Sequence, residues 1–246
     1  MHRPAKPARE PGGARAGRAR VPAVPRGSWP VPARELVQFK LPGFVFPAVK
    51  EPEPSPDQRH LVEIAIKQDS LAEGDFLRVR RDTVRLPNGA TSTREYVVHP
   101  GAVVVIPLLD DGRVLLERQF RYPVGRVMTE FPAGKLDPGE DPLVCGQREL
   151  LEETGYHGGE WARAGALHLA IAYSTEIIHI YFARHLQAGP AQLDKDEFLD
   201  LHPMEPQALY AACRDGSVTD AKTLTCVMWL QNVLSGAWPL DWQPAK

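Results

Sequence analysis

The hydrophobic and polar positions change period several times along the chain, and each change marks an element. Leu61-Val62-Glu63-Ile64-Ala65-Ile66 reads as a strand. Over residues 75–86, Phe76, Arg78 and Arg80 alternate with Leu77 and Val79, the two-residue period of a sheet. Pro87-Asn88-Gly89 follows, and a return strand is predicted over residues 93–99. Asn-Gly between two such runs is a strong hairpin signal, because both residues tolerate positive φ. Residues 101–108 are apolar almost throughout, the pattern of a strand covered on both faces. Asp110-Asp111-Gly112 turns the chain into a strand over residues 113–122. Two more strands are predicted over residues 164–172 and 176–184.

Three segments have helical character. The first is well bounded: Asp141 suits an N-cap, Pro142 a first helical residue and Gly155 a C-terminal stop, so the helix spans residues 142–154. At about 100° per residue, Leu143, Val144, Leu150 and Leu151 share one face, and Glu149, Glu152 and Glu153 share the opposite one. The others run over residues 206–214, stopped by Gly216, and 220–234, stopped by Gly236. Strands interspersed with helices predict a mixed α/β body, and no internal repeat is visible.

Composition divides the chain. The 246 residues hold 29 Lys+Arg and 31 Asp+Glu, but residues 1–50 hold ten of the basic and two of the acidic residues, a net +8. The remainder is therefore −10. Twelve of the 24 prolines precede Asp57, and each fixes φ and removes a donor, so residues 1–57 are expected to be a disordered leader before a body of residues 58–246. The leader could be a basic arm for nucleic acid, but composition favours a solvated tail without a specific partner. A third reading makes it an artefact of the start codon. It lacks the apolar stretch of a secretory signal. No apolar run approaches the ~20 residues of a membrane span. Cys145, Cys213 and Cys226 are too scattered for a disulfide framework, which fits a cytoplasmic protein.

The candidate chemistry lies between Gly134 and Tyr156. Glu149, Glu152 and Glu153 stand three and four residues apart on one helix face, where they repel one another. Solvent can screen such a face, or a hard divalent cation can occupy it. Cys145, with no second Cys or His nearby, reads as a small packing residue.

The spacing resembles the Nudix box, G-x5-E-x7-R-E-U-x-E-E-x-G-U, with U a bulky apolar residue. Gly134, Glu140, Arg148, Glu149, Leu150, Glu152, Glu153, Gly155 and Tyr156 fill its defined positions. The flanks Gln119 to Pro123, Glu130-Phe131-Pro132-Ala133-Gly134-Lys135 and Asp220-Ala221-Lys222-Thr223 resemble the ADP-ribose pyrophosphatase-like subgroup.

That resemblance implies an α/β/α sandwich with a mixed sheet, preceded by an antiparallel strand region. It implies hydrolysis of a nucleoside diphosphate sugar with Mg²⁺, or Mn²⁺ in its place, and ADP-ribose cleaved to AMP and ribose 5-phosphate. Glu149, Glu152, Glu153 and the Ala133 carbonyl would be metal ligands. Arg148 would orient a glutamate, and Glu140 would anchor the loop. Arg121 would meet a substrate phosphate and Glu130 a sugar hydroxyl or a water, although Arg121 could equally form a strand-end salt bridge. Glu152, Glu153 and Arg148 would be catalytic, with Glu176 as general base or ligand on a loop. The subgroup also implies a homodimer built through its N-terminal strands, while the absence of a long apolar run argues against a membrane and the net charge of −2 against nucleic acid as partner. Phe76 is the candidate for stacking on adenine, though a core role is commoner for phenylalanine.

One departure bears on the substrate. ADP-ribose-specific members usually carry a proline beyond the box where this chain has Ala172. Another ADP-sugar or a GDP-sugar is therefore an alternative. A non-catalytic ADP-ribose sensor is a further one, disfavoured because every box glutamate is kept.

Overall fold

The strand over Ala102–Leu108 (β4) lies at the centre of the fold, and its composition follows from that position. In a computed structural model, described here for residues 55–245, Val104 and Ile106 pack with Leu209, Cys226 and Leu230. Those partners come from two helices, Pro206–Asp215 (α2) and Ala221–Leu234 (α3). Val103 and Val105 point the other way, into a cluster with Cys145 and Leu150 of the helix Pro142–Thr154 (α1). Successive residues thus enter opposite layers, so every position must be apolar. Each fully buried valine stabilises the fold by roughly 1.5–3 kcal/mol.

Around β4 runs one mixed sheet. Its order is Leu199–Met204 (β10), Val114–Arg121 (β5), β4, Ile177–Arg184 (β9), Glu160–His168 (β8) and Gln243–Pro244 (β11). Arg126–Glu130 (β6) pairs with β5, and Ala133–Lys135 (β7) pairs with β4. β4 and β9 are parallel, and the other pairs are antiparallel. With α1 on one face and α2 and α3 on the other, this is the expected α/β/α sandwich.

The antiparallel strand region precedes it: Ile64–Glu73 (β1), Arg78–Arg85 (β2) and Thr91–Val98 (β3), in that order. The hairpin closes as predicted. Leu86 N donates to Ala90 O at 2.8 Å, and Gly89 takes φ +85°, which its missing Cβ allows. β3 is tied to the main body, where Val97 N donates to Tyr173 O at 2.9 Å and Thr175 N to Val97 O at 3.0 Å.

Several expectations shift. β1 starts later and runs on to Glu73, because register breaks at Ala65/Lys67 and Ser70/Ala72 destroy the alternation that would have revealed it. Residues 59–61 form a short 3₁₀ turn instead of strand. β8 begins at Glu160 and stops at His168, after which Tyr173 and Ser174 both donate to Ala170 O and close a turn. The sequence pattern does not mark the short strands β6, β7, β10 and β11. The leader expectation falls outside the described residues except at 55–57.

Candidate active site

α1 is fixed at both ends by its sequence. Asp141 accepts from Leu143 N at 3.0 Å and Val144 N at 3.3 Å, and Gly155 takes φ +75°. The helix does not bury the face expected from its wheel. Val144 is exposed, whereas Cys145, Gly146, Leu150 and Glu153 are buried. The glutamates therefore lie along the inner edge of α1, beside the sheet, instead of facing away from it. Cys145 is a packing residue: it is fully buried, its thiol donates to Lys135 O at 3.3 Å, and burial pushes its pKa up. Gly134 is required by contact: a Cβ there would stand 1.8 Å from Glu149 Cδ.

Arg148 gathers the outer carboxylates. Its Nε and one terminal nitrogen donate to the two oxygens of Glu140, both at 2.9 Å. Its other terminal nitrogen donates to Glu149 at 2.9 Å and Glu152 at 3.1 Å. This is the orienting role expected of a rigid fork. Glu140 also accepts from Asp137 N at 3.0 Å, so it anchors the loop. The Arg148 bonds hold the Glu140 carboxyl below its ordinary range.

Deeper in, the balance reverses. Glu153 is 5 % exposed and accepts only from Ala133 N, at 3.2 Å, among the hydrogen bonds of the described residues. Burial pushes its pKa well up, and Glu117, Glu149 and Glu197 add to the effect. Burial also raises Glu149, against the opposing pull of Arg148. Glu117, on β5, is fully buried, and burial followed by Glu130 raises its pKa to about 7. It had not been singled out from the sequence, although a glutamate ending the run Val114-Leu115-Leu116 is an oddity that could have flagged it.

A second ion network borders the cavity. Arg121 grips Glu130 with two bonds, at 2.7 and 2.9 Å, and Lys222 also pairs with Glu130. Lys222 donates in turn to Asp220 at 3.1 Å, the N-cap of α3. Burial alone would raise the Glu130 carboxyl, but Arg121 and Lys222 outweigh it and the net direction is down. Arg121 therefore does form the salt bridge that was its alternative reading, while still lining the cavity.

The cavity measures about 520 Å³. Arg121, Glu130, Ala133, Arg148, Glu149, Glu152, Glu153 and Glu176 all line it, so the fold brings every expected site residue together. Phe76 lines it too and is 58 % exposed, not a core residue. Lys135 Nζ lies 4.4 Å from its ring centroid, and His99 meets it edge-on at 6.3 Å. Glu176 faces His99, at 3.7 Å. Two acids from the loop before β10, Asp194 and Glu197, were missed and also line the cavity. Gln192 N donates to Glu152 O at 2.8 Å and holds that loop against α1. Glu197, more than 40 residues beyond the box, reaches the site only through the fold.

Comparison with known proteins agrees with this geometry. The NUDIX domain model matches residues 98–224, more than half of the chain. The chain belongs to the Nudix family. A second model, the nucleoside diphosphate sugar hydrolase N-terminal domain, matches residues 66–97, the region of β1–β3. Among its relatives, a methanol dehydrogenase activator of Bacillus methanolicus is 38% identical over 69% of this chain and 92% of its own. An ADP-ribose pyrophosphatase of Bacillus subtilis is 35% identical over 70% of this chain and 95% of its own. The solved structure of an ADP compounds hydrolase shares the fold, with a TM-score of 0.64 at 20% identity over 71% of this chain and 95% of that one.

Nudix hydrolases generally need divalent cations, and the donor set here suits one. Glu149 and Glu153 offer carboxylate oxygens at the cavity wall, the donor type a hard cation prefers, and Glu153 has no side-chain cation bonded to it. Ala133 N bonds Glu153, which puts the Ala133 peptide beside it. As the side chains stand, no three His, Cys, Asp or Glu among the described residues converge tightly enough to enclose an ion. Arg148 takes that neutralising place for Glu149 and Glu152. No helix among the described residues is long and apolar enough to cross a membrane.

Proposed function

We propose that this Nudix protein hydrolyses the pyrophosphate bond of a nucleoside diphosphate sugar with Mg²⁺, cleaving ADP-ribose to AMP and ribose 5-phosphate. The reading rests on one observation above all: the complete box, with Glu153 buried and Glu149 half-buried at the wall of a cavity of about 520 Å³. The names of relatives such as the ADP-ribose pyrophosphatase of Bacillus subtilis support the substrate class.

A bound divalent cation supplies charge neutralisation and water activation. In this reading Glu149, Glu153 and the Ala133 carbonyl hold it, with Glu152 at the rim. Arg148 keeps Glu149 and Glu152 oriented. Arg121 has its guanidinium held in plane by Glu130 and presents positive charge to a substrate phosphate. Glu176 is one candidate to accept the proton of the attacking water. Glu197 is the other, and its charge is the one felt by Glu149 and Glu153. Phe76, exposed on the cavity wall, offers a face for the base.

Ala172 favours a second reading, in which another ADP-sugar or a GDP-sugar is preferred. A panel of ADP-ribose, ADP-glucose, GDP-mannose, NADH and a diadenosine polyphosphate separates the two. Fastest release of AMP from ADP-ribose is expected. A faster GDP-mannose reaction replaces the substrate, and no turnover of any compound sinks the reading and favours the sensor.

We also place the protein in the cytoplasm as a homodimer joined through β1–β3. Exposed Ile66 and Leu71 on β1, with exposed Leu77 in the turn before β2, support that surface. Sedimentation should give twice 27.3 kDa, and a monomer at working concentration would contradict it.

A further inference from the structure

Glu117 has no role in the site as assigned so far, yet the fold aims it there. Along β5, Glu117, Gln119 and Arg121 occupy alternate positions and share one face. Gln119 and Arg121 both line the cavity. Glu130, which also lines it, stands directly opposite Glu117 across the β5–β6 ladder. Glu117 is thus the buried inner end of a row whose other two members, Gln119 and Arg121, open onto the cavity, although it does not line the cavity itself.

Its surroundings set it apart from every other buried acid of the site. Its exposure is 0 %, and both carboxylate oxygens lack a hydrogen-bond partner. Glu130 has Arg121 and Lys222, Glu140 and Glu149 have Arg148, and Glu153 has Ala133 N. Arg121 and Lys222 are near enough to act on Glu117 through space, but their hydrogen bonds go to Glu130. Protonation would not mend this, because a hydroxyl at either oxygen would still need an acceptor. A leucine or methionine would fill the same volume without a buried, unpartnered polar group. What two unpartnered anionic oxygens out of water do suit is a hard cation with its water shell.

We propose that Glu117 is a further cation-binding carboxylate, acting on the same divalent ion as Glu153. This rests on the hydrolase reading above, in which Glu153 holds the ion. It gives the ion a partner on β5 in addition to those on α1 and β7, so the sheet and the helix would be clamped together on binding.

Mn²⁺ binding to the full chain, read from the free-ion electron paramagnetic resonance signal without substrate, tests this. Wild type, Glu117→Gln and Glu117→Leu are compared, with circular dichroism to establish folding. Wild type should bind Mn²⁺, and Glu117→Gln should bind it about 10- to 100-fold more weakly, the usual loss when a supporting group of a metal site is removed. Glu117→Leu, which keeps the volume apolar, should melt higher than wild type in EDTA and gain less on adding Mn²⁺. Folded variants that bind Mn²⁺ as wild type does would overturn the proposal while leaving the hydrolase reading intact. Wild type that binds no Mn²⁺ would overturn both.

Discussion

Two sets of glutamates in and around one cavity behave in opposite ways. Glu140 and Glu130 have cations built into the chain, Arg148 for the first and Arg121 with Lys222 for the second. Their carboxyls are held down, ionised and fixed in position. Glu153 and Glu117 are buried, as Glu130 is and Glu140 is only in part, but no side-chain cation bonds to them, and burial drives both upward. Glu149 stands between the sets, raised by burial and partly restored by Arg148. The residue type is the same throughout, so partners and not chemistry separate the sets. Carboxylates that the protein neutralises build the site. On the proposed reading, those it leaves uncompensated are where an external cation binds.

Substitutions should expose that division, most sharply on the uncompensated side. Glu153→Gln keeps the shape and removes the charge. It should lower kcat on ADP-ribose by more than the ~100-fold that follows loss of a metal ligand's supporting group. Initial rates in saturating Mg²⁺ check this, and an unchanged kcat would end its role as ligand.

The next effect concerns pH in EDTA. The Glu117 carboxyl lies at about 7 in the fold against an ordinary 4.5. The native state then keeps a proton that the unfolded chain releases, so stability falls as pH rises from about 4.5 to about 7. The drop is on the order of 3 kcal/mol, and Glu117→Gln should flatten it. Urea melts at several pH values would show the slope. Glu130 and Glu140 act in the other direction, stabilising at neutral pH and losing that contribution as pH falls through their lowered values.

On the neutralised side, Arg148→Lys keeps the charge but loses the fork that grips Glu140 while reaching Glu149 and Glu152. A fall of about 10-fold in kcat is expected, with smaller change in KM, because glutamate orientation and not substrate binding is disturbed. The smallest effect should come from Asp141→Ala, which removes the α1 cap and costs about 1 kcal/mol in stability with kcat nearly unchanged.

Much of this was legible in the sequence, and the rest was not, for identifiable reasons. α1 was readable to the residue because its cap, first-turn proline and terminal glycine are local signals. β4 was readable because burial on both faces leaves an unbroken apolar run. The exposed face of α1 was misjudged because a wheel ranks hydrophobicity, whereas the helix buries Glu153 at the site's edge. β10 is an edge strand with Asp200, His202 and Pro203, and it lacks any apolar period. Glu197 and Lys222 needed long-range pairing to reach the cavity. Glu176, expected from the resemblance, does line the cavity, where it faces His99.

Crystals soaked with Mn²⁺ would locate the ion by anomalous scattering and so test the division between the two sets most directly. The strongest peak should lie against Glu153 and Glu149, beside the Ala133 carbonyl and on the side of the cavity that Glu117 faces. A peak confined to Glu140 or Glu130, where Arg148, Arg121 and Lys222 already supply the positive charge, or no peak beside Glu153 at saturating Mn²⁺, would contradict it.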